Sequence, residues 1–316
     1  MTIGSDVPQT TITRGQQNLF ALATGLTFLL VIMGGTVCVT GSTLGCPDWP
    51  GCYGRLVPPP RADSIIEYSH RLLALLAAPL VLAAAILGWR RTRSLRWVSR
   101  PPLAAFGLFV VVSIFGAFAV LTGLRPSLAA LDLGFALLAL ALMVAATEVA
   151  RARRRIPELA DRLSFEAPFS RLALGTFAAV FLVLVMGVLV AAPNSIARCL
   201  GWPLFGGEEL AATSRDWVQG MRIALAGVAG MGILGLVAGA WRSERRRQPV
   251  FRVALAVALL FAGELTLGRW LVTAGPSAVL LTGYVALAVG LWAALAALVV
   301  RAALPAMAQK TAEGFS

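Results

Sequence analysis

The sequence predicts an all-α membrane protein of eight transmembrane helices, arranged as two pseudo-symmetric four-helix bundles. Three observations carry that expectation. Hydrophobic residues make up 58% of the 316-residue chain and charged residues only 13%, against about 25% charged in a soluble domain. Eight apolar runs each approach the roughly 20 residues that a helix needs to cross a bilayer. The first four runs and the last four carry the same landmarks in the same order. Together these exclude a water-soluble enzyme, a disordered regulator and a secreted disulfide scaffold.

The runs follow one another as 17–40, 67–89, 103–124, 128–150, 171–192, 217–240, 253–274 and 278–300. The first is too long for the core of a typical signal peptide and no small-residue cleavage site follows it, so it reads as a retained span. The second opens on Glu67-Tyr68-Ser69-His70-Arg71 and ends in an arginine cluster, Arg90 to Arg100. Further clusters follow the fourth run (Arg151 to Arg171) and the sixth (Arg242 to Arg252). The net charge of +12 comes almost wholly from such arginines, with Lys310 the only lysine. A basic balance can signal nucleic acid, but arginines grouped between apolar runs are explained by membrane topology. The positive-inside rule then places both termini in the cytoplasm, with the loops 41–66 and 193–216 facing outward. The expected setting is a bacterial cytoplasmic membrane, with lipid as a partner and no nucleic acid.

The repeat sets the domain organisation. Met33-Gly34 returns as Met186-Gly187, Cys46 with Trp49-Pro50 as Cys199 with Trp202-Pro203, and His70-Arg71 as Met221-Arg222. Pro126, Asp132 and Ala136 return as Pro276, Thr282 and Ala286. An even number of spans per repeat gives both halves one orientation. The chain therefore divides into a tail (1–16), an N-terminal bundle (17–150), a linker (151–170), a C-terminal bundle (171–300) and a second tail (301–316). Parallel repeats also occur in transporters, which break their helices at mid-membrane. The one such signal here is Gly275-Pro276, at a loop.

Ionisable groups inside a bilayer are costly and are functional candidates by default. Glu67 and His70 are spaced i, i+3 and share a helix face. A neutral imidazole can ligate haem iron, a carboxylate beside it can bind a proton or position water, and Arg71 can pair with haem propionates. Asp132, in the fourth run, can face His70 or Arg71 across the bundle. Met221 stands where His70 stands in the first half; methionine can be an axial haem ligand but more often simply packs. Arg222 repeats Arg71. Glu264 and Arg269 are five residues apart, off one helix face, and their roles are open. The single histidine, His70, excludes a bis-histidine haem within one chain. The close pair Cys46 and Cys52 can form a disulfide in an oxidising loop. No zinc spacing, phosphate loop or nucleophile elbow is present.

Gly41-Ser42-Thr43-Leu44-Gly45-Cys46-Pro47-Asp48-Trp49-Pro50-Gly51-Cys52-Tyr53-Gly54, followed by Pro58-Pro59 and Glu67-Tyr68-Ser69-His70-Arg71, resembles the haem A synthase family. So does Leu121-Thr122-Gly123-Leu124. The resemblance covers about residues 17–300. It implies a cytochrome oxidase assembly protein whose C-terminal bundle holds haem b and whose N-terminal bundle oxidises the C8 methyl of haem o to the formyl of haem a. It implies a catalytic role for Glu67, iron ligation by His70 and a disulfide between Cys46 and Cys52. It also implies two histidines per bundle, and here the chain departs. The other three histidine positions fall on Asp132, Met221 and about Thr282, and Phe205 stands where a second loop cysteine would fall. At most one well-ligated haem site is expected, in the N-terminal half, with none for haem b in the C-terminal half. Two readings follow: a haem o to haem a oxidoreductase, or a non-catalytic haem- or lipid-binding subunit of a larger membrane complex that inherited the fold.

Overall fold

The computed structural model describes residues 11–123, 125–190, 199, 202, 216–242 and 248–305. Its helices are α1 (Arg14–Val39), α2 (Ala62–Arg91), α3 (Arg96–Thr122), α4 (Pro126–Arg155), α5 (Pro168–Val190), α6 (Asp216–Arg242), α7 (Gln248–Ala274) and α8 (Ala278–Ala303). All eight contain a segment long and apolar enough to cross a membrane. At 1.5 Å per residue they run roughly 35–45 Å. Each is continuous over the range given, and Gly275, at φ +87°, lies between α7 and α8. The discontinuous helices that a transporter would show are absent among the described residues.

Most helices outrun the apolar stretches that announce them. α2 starts at Ala62 rather than 67, α3 at Arg96 rather than 103, and α4 runs on to Arg155. Counting apolar residues finds only the part inside hydrocarbon. Arginine is a good helix former, so the polar flanks continue the hydrogen-bond ladder. Local caps set several ends. Thr13 accepts from Gln16 N–H at 3.2 Å before α1, and Ser277 from Leu280 N–H at 3.3 Å before α8. Leu95, ahead of α3, has no capping side chain; Asp161 of the 151–170 segment accepts from the N–H groups of Arg96 and Trp97 instead.

Helices α1–α4 close a ring in which α1 meets α2, α2 meets α3, α3 meets α4 and α4 meets α1. Helices α5–α8 close a second ring in the same way. The seam between them also repeats: α4 packs on α5 as α8 packs on α1, and α4 meets α8. Trp292 of α8 is fully buried at this seam, stacks on Phe177 with ring centroids 4.0 Å apart, and donates its indole N–H to Leu137 O of α4 at 2.9 Å. At the arginine-rich end Glu148 of α4 takes Arg151 at 2.9 Å and Arg301 of α8 at 2.6 Å.

Within the second ring, α6 meets α5 through Gly232, Gly235 and Gly239. Lipid tails are as apolar as leucine, so packing between helices comes from close backbone approach. A Cβ on Gly232 would stand 2.4 Å from Thr176 Oγ1, whereas one on Gly227 would meet nothing within 4 Å. Gly232→Leu is therefore expected to cost about 1–3 kcal/mol by overpacking. It should lower the melting temperature in detergent, with Gly227→Leu leaving it unchanged.

Candidate functional site

A cavity of about 540 Å³ lies inside the α1–α4 ring, roofed by the first long loop. Its walls include Gly34 of α1, Glu67, His70 and Arg71 of α2, Asp132 of α4 and Trp49 of the roof. Its size falls within the roughly 300–1,000 Å³ typical of small-molecule sites.

The roof is built from its own sequence. Gly41 (φ +67°) turns the chain out of α1, and Gly54 (φ +68°) follows the left-handed Tyr53 at the loop tip. The disulfide Cys46–Cys52 closes the loop, as expected from the resemblance. Cys52 and Arg55 exchange both backbone hydrogen bonds. The carboxylate of Asp48 accepts from the N–H groups of Tyr53 and Gly54, each at 2.6 Å. Those backbone donors hold its pKa below the usual carboxylate range.

The roof is fastened to α2 by the side chains of Glu67, Arg71 and Ser64. Glu67 is 4% exposed; its Oε2 accepts from Cys46 N–H at 2.9 Å and its Oε1 pairs with Arg71. Arg71 also donates to the carbonyls of Asp48 and Gly51, both at 2.6 Å, and of Cys46 at 3.2 Å. Ser64 Oγ donates to Gly45 O at 2.7 Å. The expected pairing of Arg71 with Asp132 is not made, because the guanidinium is engaged by the loop and by Glu67.

His70 lies one helical turn from Glu67, on the same face. Its imidazole makes no hydrogen bond among the described residues. A Cβ on Gly34 would come 3.3 Å from His70 Nε2, so the bare glycine backbone is what leaves room for the ring. Asp132 lines the same cavity from α4. Its Oδ1 is buried and has no hydrogen-bond partner among the described residues. The expected Asp132–His70 pair is therefore not a hydrogen bond either. Their helices stand at opposite corners of the ring and the cavity lies between them.

The structure adds a second disulfide, Cys38–Cys199, with Cα atoms 5.7 Å apart and a sequence separation of 161. It joins the end of α1 to the second long loop, and both cysteines line the cavity. Cys38 read as part of an apolar run. The signal was available: once Cys46 and Cys52 pair, Cys38 and Cys199 are the remaining cysteines, and the predicted topology puts both at one membrane face.

The α5–α8 ring offers no equivalent among the described residues. Met221, expected at the position of His70, is 48% exposed on the outside of α6. Neighbouring helical residues point about 100° apart, and here Arg222 takes the inward direction. It is fully buried and its Nε donates to Val183 O at 3.2 Å. Tyr284, 1% exposed, accepts from Trp202 N–H at 2.9 Å. Glu264 is also 1% exposed, while Arg269 lies on the exposed face of α7, so the two are not a pair. The expected position 205 lies outside the described residues. The described groups fit one porphyrin iron ligand in the first ring, with an unengaged imidazole, a glycine cradle and a cavity. They do not fit a haem in the second ring, which has no imidazole and whose Met221, at the register position of His70, faces outward.

Residues 17–224 match the family described as cytochrome oxidase assembly protein, a span that takes in α1–α5 and the opening of α6. The chain is 32% identical over 261 residues to the heme A synthase of Geobacillus kaustophilus, covering 80% of this chain and 81% of that protein. It is 29% identical to the heme A synthase of Alkalihalophilus pseudofirmus over 60% of this chain and 64% of that protein. Against the heme A synthase of Geobacillus thermodenitrificans it is 30% identical over 76% of this chain and 77% of that protein.

Proposed function

The chain belongs to the cytochrome oxidase assembly protein family, and from that premise we propose that it serves haem A and cytochrome oxidase biogenesis by holding one porphyrin in the α1–α4 ring. The observation that carries this reading is the sole imidazole of the chain, unengaged and cradled by Gly34 inside a ligand-sized cavity. His70 is the iron ligand. Haem o, or another porphyrin, is the bound group, and when bound it supplies the iron chemistry of the site.

Each remaining residue acts through position. Glu67, expected as the catalytic carboxylate, has one oxygen on Cys46 N–H and the other on Arg71. Its role in this reading is to hold the roof over the porphyrin and, with Arg71, to exclude water. The propionate contact expected of Arg71 is correspondingly limited, because the roof carbonyls take most of its donors. Arg222 and Met221 hold no cofactor. The protein sits in a bacterial cytoplasmic membrane with both termini in the cytoplasm and the roof outside.

One observation favours a second reading, a non-catalytic porphyrin-holding subunit of a larger membrane complex. The chain has one histidine, so the second ring has no imidazole with which to carry a haem for electron relay. A cell that makes haem o but has no other source of haem a separates the two. Haem a extracted from membranes containing this chain supports synthesis. Haem o or b bound without conversion supports the holding role. Purified, folded protein free of any haem would contradict both.

A further inference from the structure

The carboxyl of Asp132 lies in the cavity wall across from His70, and the roof does not engage it. Its Oδ1 is buried and without a hydrogen bond among the described residues, although a buried acceptor left unpaired costs about 1–3 kcal/mol. The nearest cation by sequence expectation, Arg71, is committed elsewhere. His70 and Asp132 line one cavity from helices at opposite corners of the ring. A ligand that fills the cavity between them has an imidazole on one side and a hydrogen-bond acceptor on the other. Aspartate is shorter than histidine, and its hard oxygen suits ferrous haem iron less well than imidazole nitrogen.

We propose that the cavity holds its porphyrin with a single protein ligand, His70, and leaves the opposite axial position open to a small exogenous molecule that Asp132 faces. The site is then a ligand-binding haem pocket rather than a doubly ligated one. The chemical class it takes is a small neutral molecule, with water the one that can donate to the unpaired Asp132 oxygen. The proposal rests on the reading that a porphyrin binds at His70 and adds the state of the far side.

Carbon monoxide tests it on the purified, dithionite-reduced holoprotein. The wild type should bind carbon monoxide at one per haem, with a shifted Soret band. Asp132→His places a second imidazole opposite the first. It should keep its haem, turn low-spin and lose carbon monoxide affinity by tenfold or more. Asp132→Leu should still bind carbon monoxide but move the C–O stretching frequency in the infrared, since the polar neighbour is gone. Haem-loaded wild type that fails to bind carbon monoxide would overturn this inference alone, as would an unmoved C–O stretch in Asp132→Leu. Wild type without haem would overturn the underlying reading and this inference together.

Discussion

Purified His70→Ala protein is expected to lack haem absorption while keeping its helical content and its elution as a folded protein in detergent. The expectation follows from count and placement. The chain has one imidazole, no cluster of three or more potential metal-ligating His, Cys, Asp or Glu side chains occurs among the described residues, and all four cysteines are in disulfides. Asp132 alone, a carboxyl across the cavity, would leave the iron weakly held. Little structural damage should follow, because His70 makes no hydrogen bond that alanine would break. The substitution also enlarges the cavity beside Gly34, so free imidazole added during expression should restore part of the absorption. A Soret band of unchanged intensity in His70→Ala would remove His70 as the ligand.

The second large effect is structural. Gly45→Val should detach the roof and destabilise the protein by about 3 kcal/mol or more, combining overpacking with the loss of buried hydrogen bonds. A Cβ at position 45 would stand 2.5 Å from Asp63 C and O and 2.8 Å from Ser64 N. These are backbone atoms of α2, which cannot move aside as the end of a side chain could. The loop must lift instead. It takes with it the Ser64–Gly45 bond, the Cys46–Glu67 bond and the carbonyls that satisfy Arg71. Gly107→Val is the control, since a Cβ there meets nothing within 4 Å. The check is the melting temperature in detergent and the haem retained after purification. Equal melting of the Gly45 and Gly107 variants would refute the docking of the roof.

The fold was legible because a bilayer admits few solutions. Each apolar run had to be a helix, and the spacing of Met33-Gly34, Cys46 and Arg71 against their later copies grouped the helices in fours. The helix ends were less legible, because arginine-rich flanks carry helix propensity but no hydrophobic signal. At the site, sequence grouped Glu67, His70 and Arg71 but gave neither their partners nor their roles. Glu67, His70 and Arg71 do line one cavity. Residue type suggested chemistry for Glu67 and Arg71, yet their partners are loop backbone groups that no sequence pattern displays. Met221 shows the same limit in reverse. The repeat gives its register, but which of Met221 and Arg222 faces inward depends on helix rotation, and burial there favours Arg222. Cys38–Cys199, at a sequence separation of 161, links the two halves, and only the cysteine count together with the topology points to it.

The proposed function requires one porphyrin per chain, held in the α1–α4 ring. The most direct test is the pyridine haemochrome of the detergent-purified protein from a haem-replete host, divided by its protein content. A ratio near one is expected. A ratio near two would mean that the second ring binds a haem without any imidazole of its own, and a folded protein with none would mean that the cavity under the roof is not a haem site.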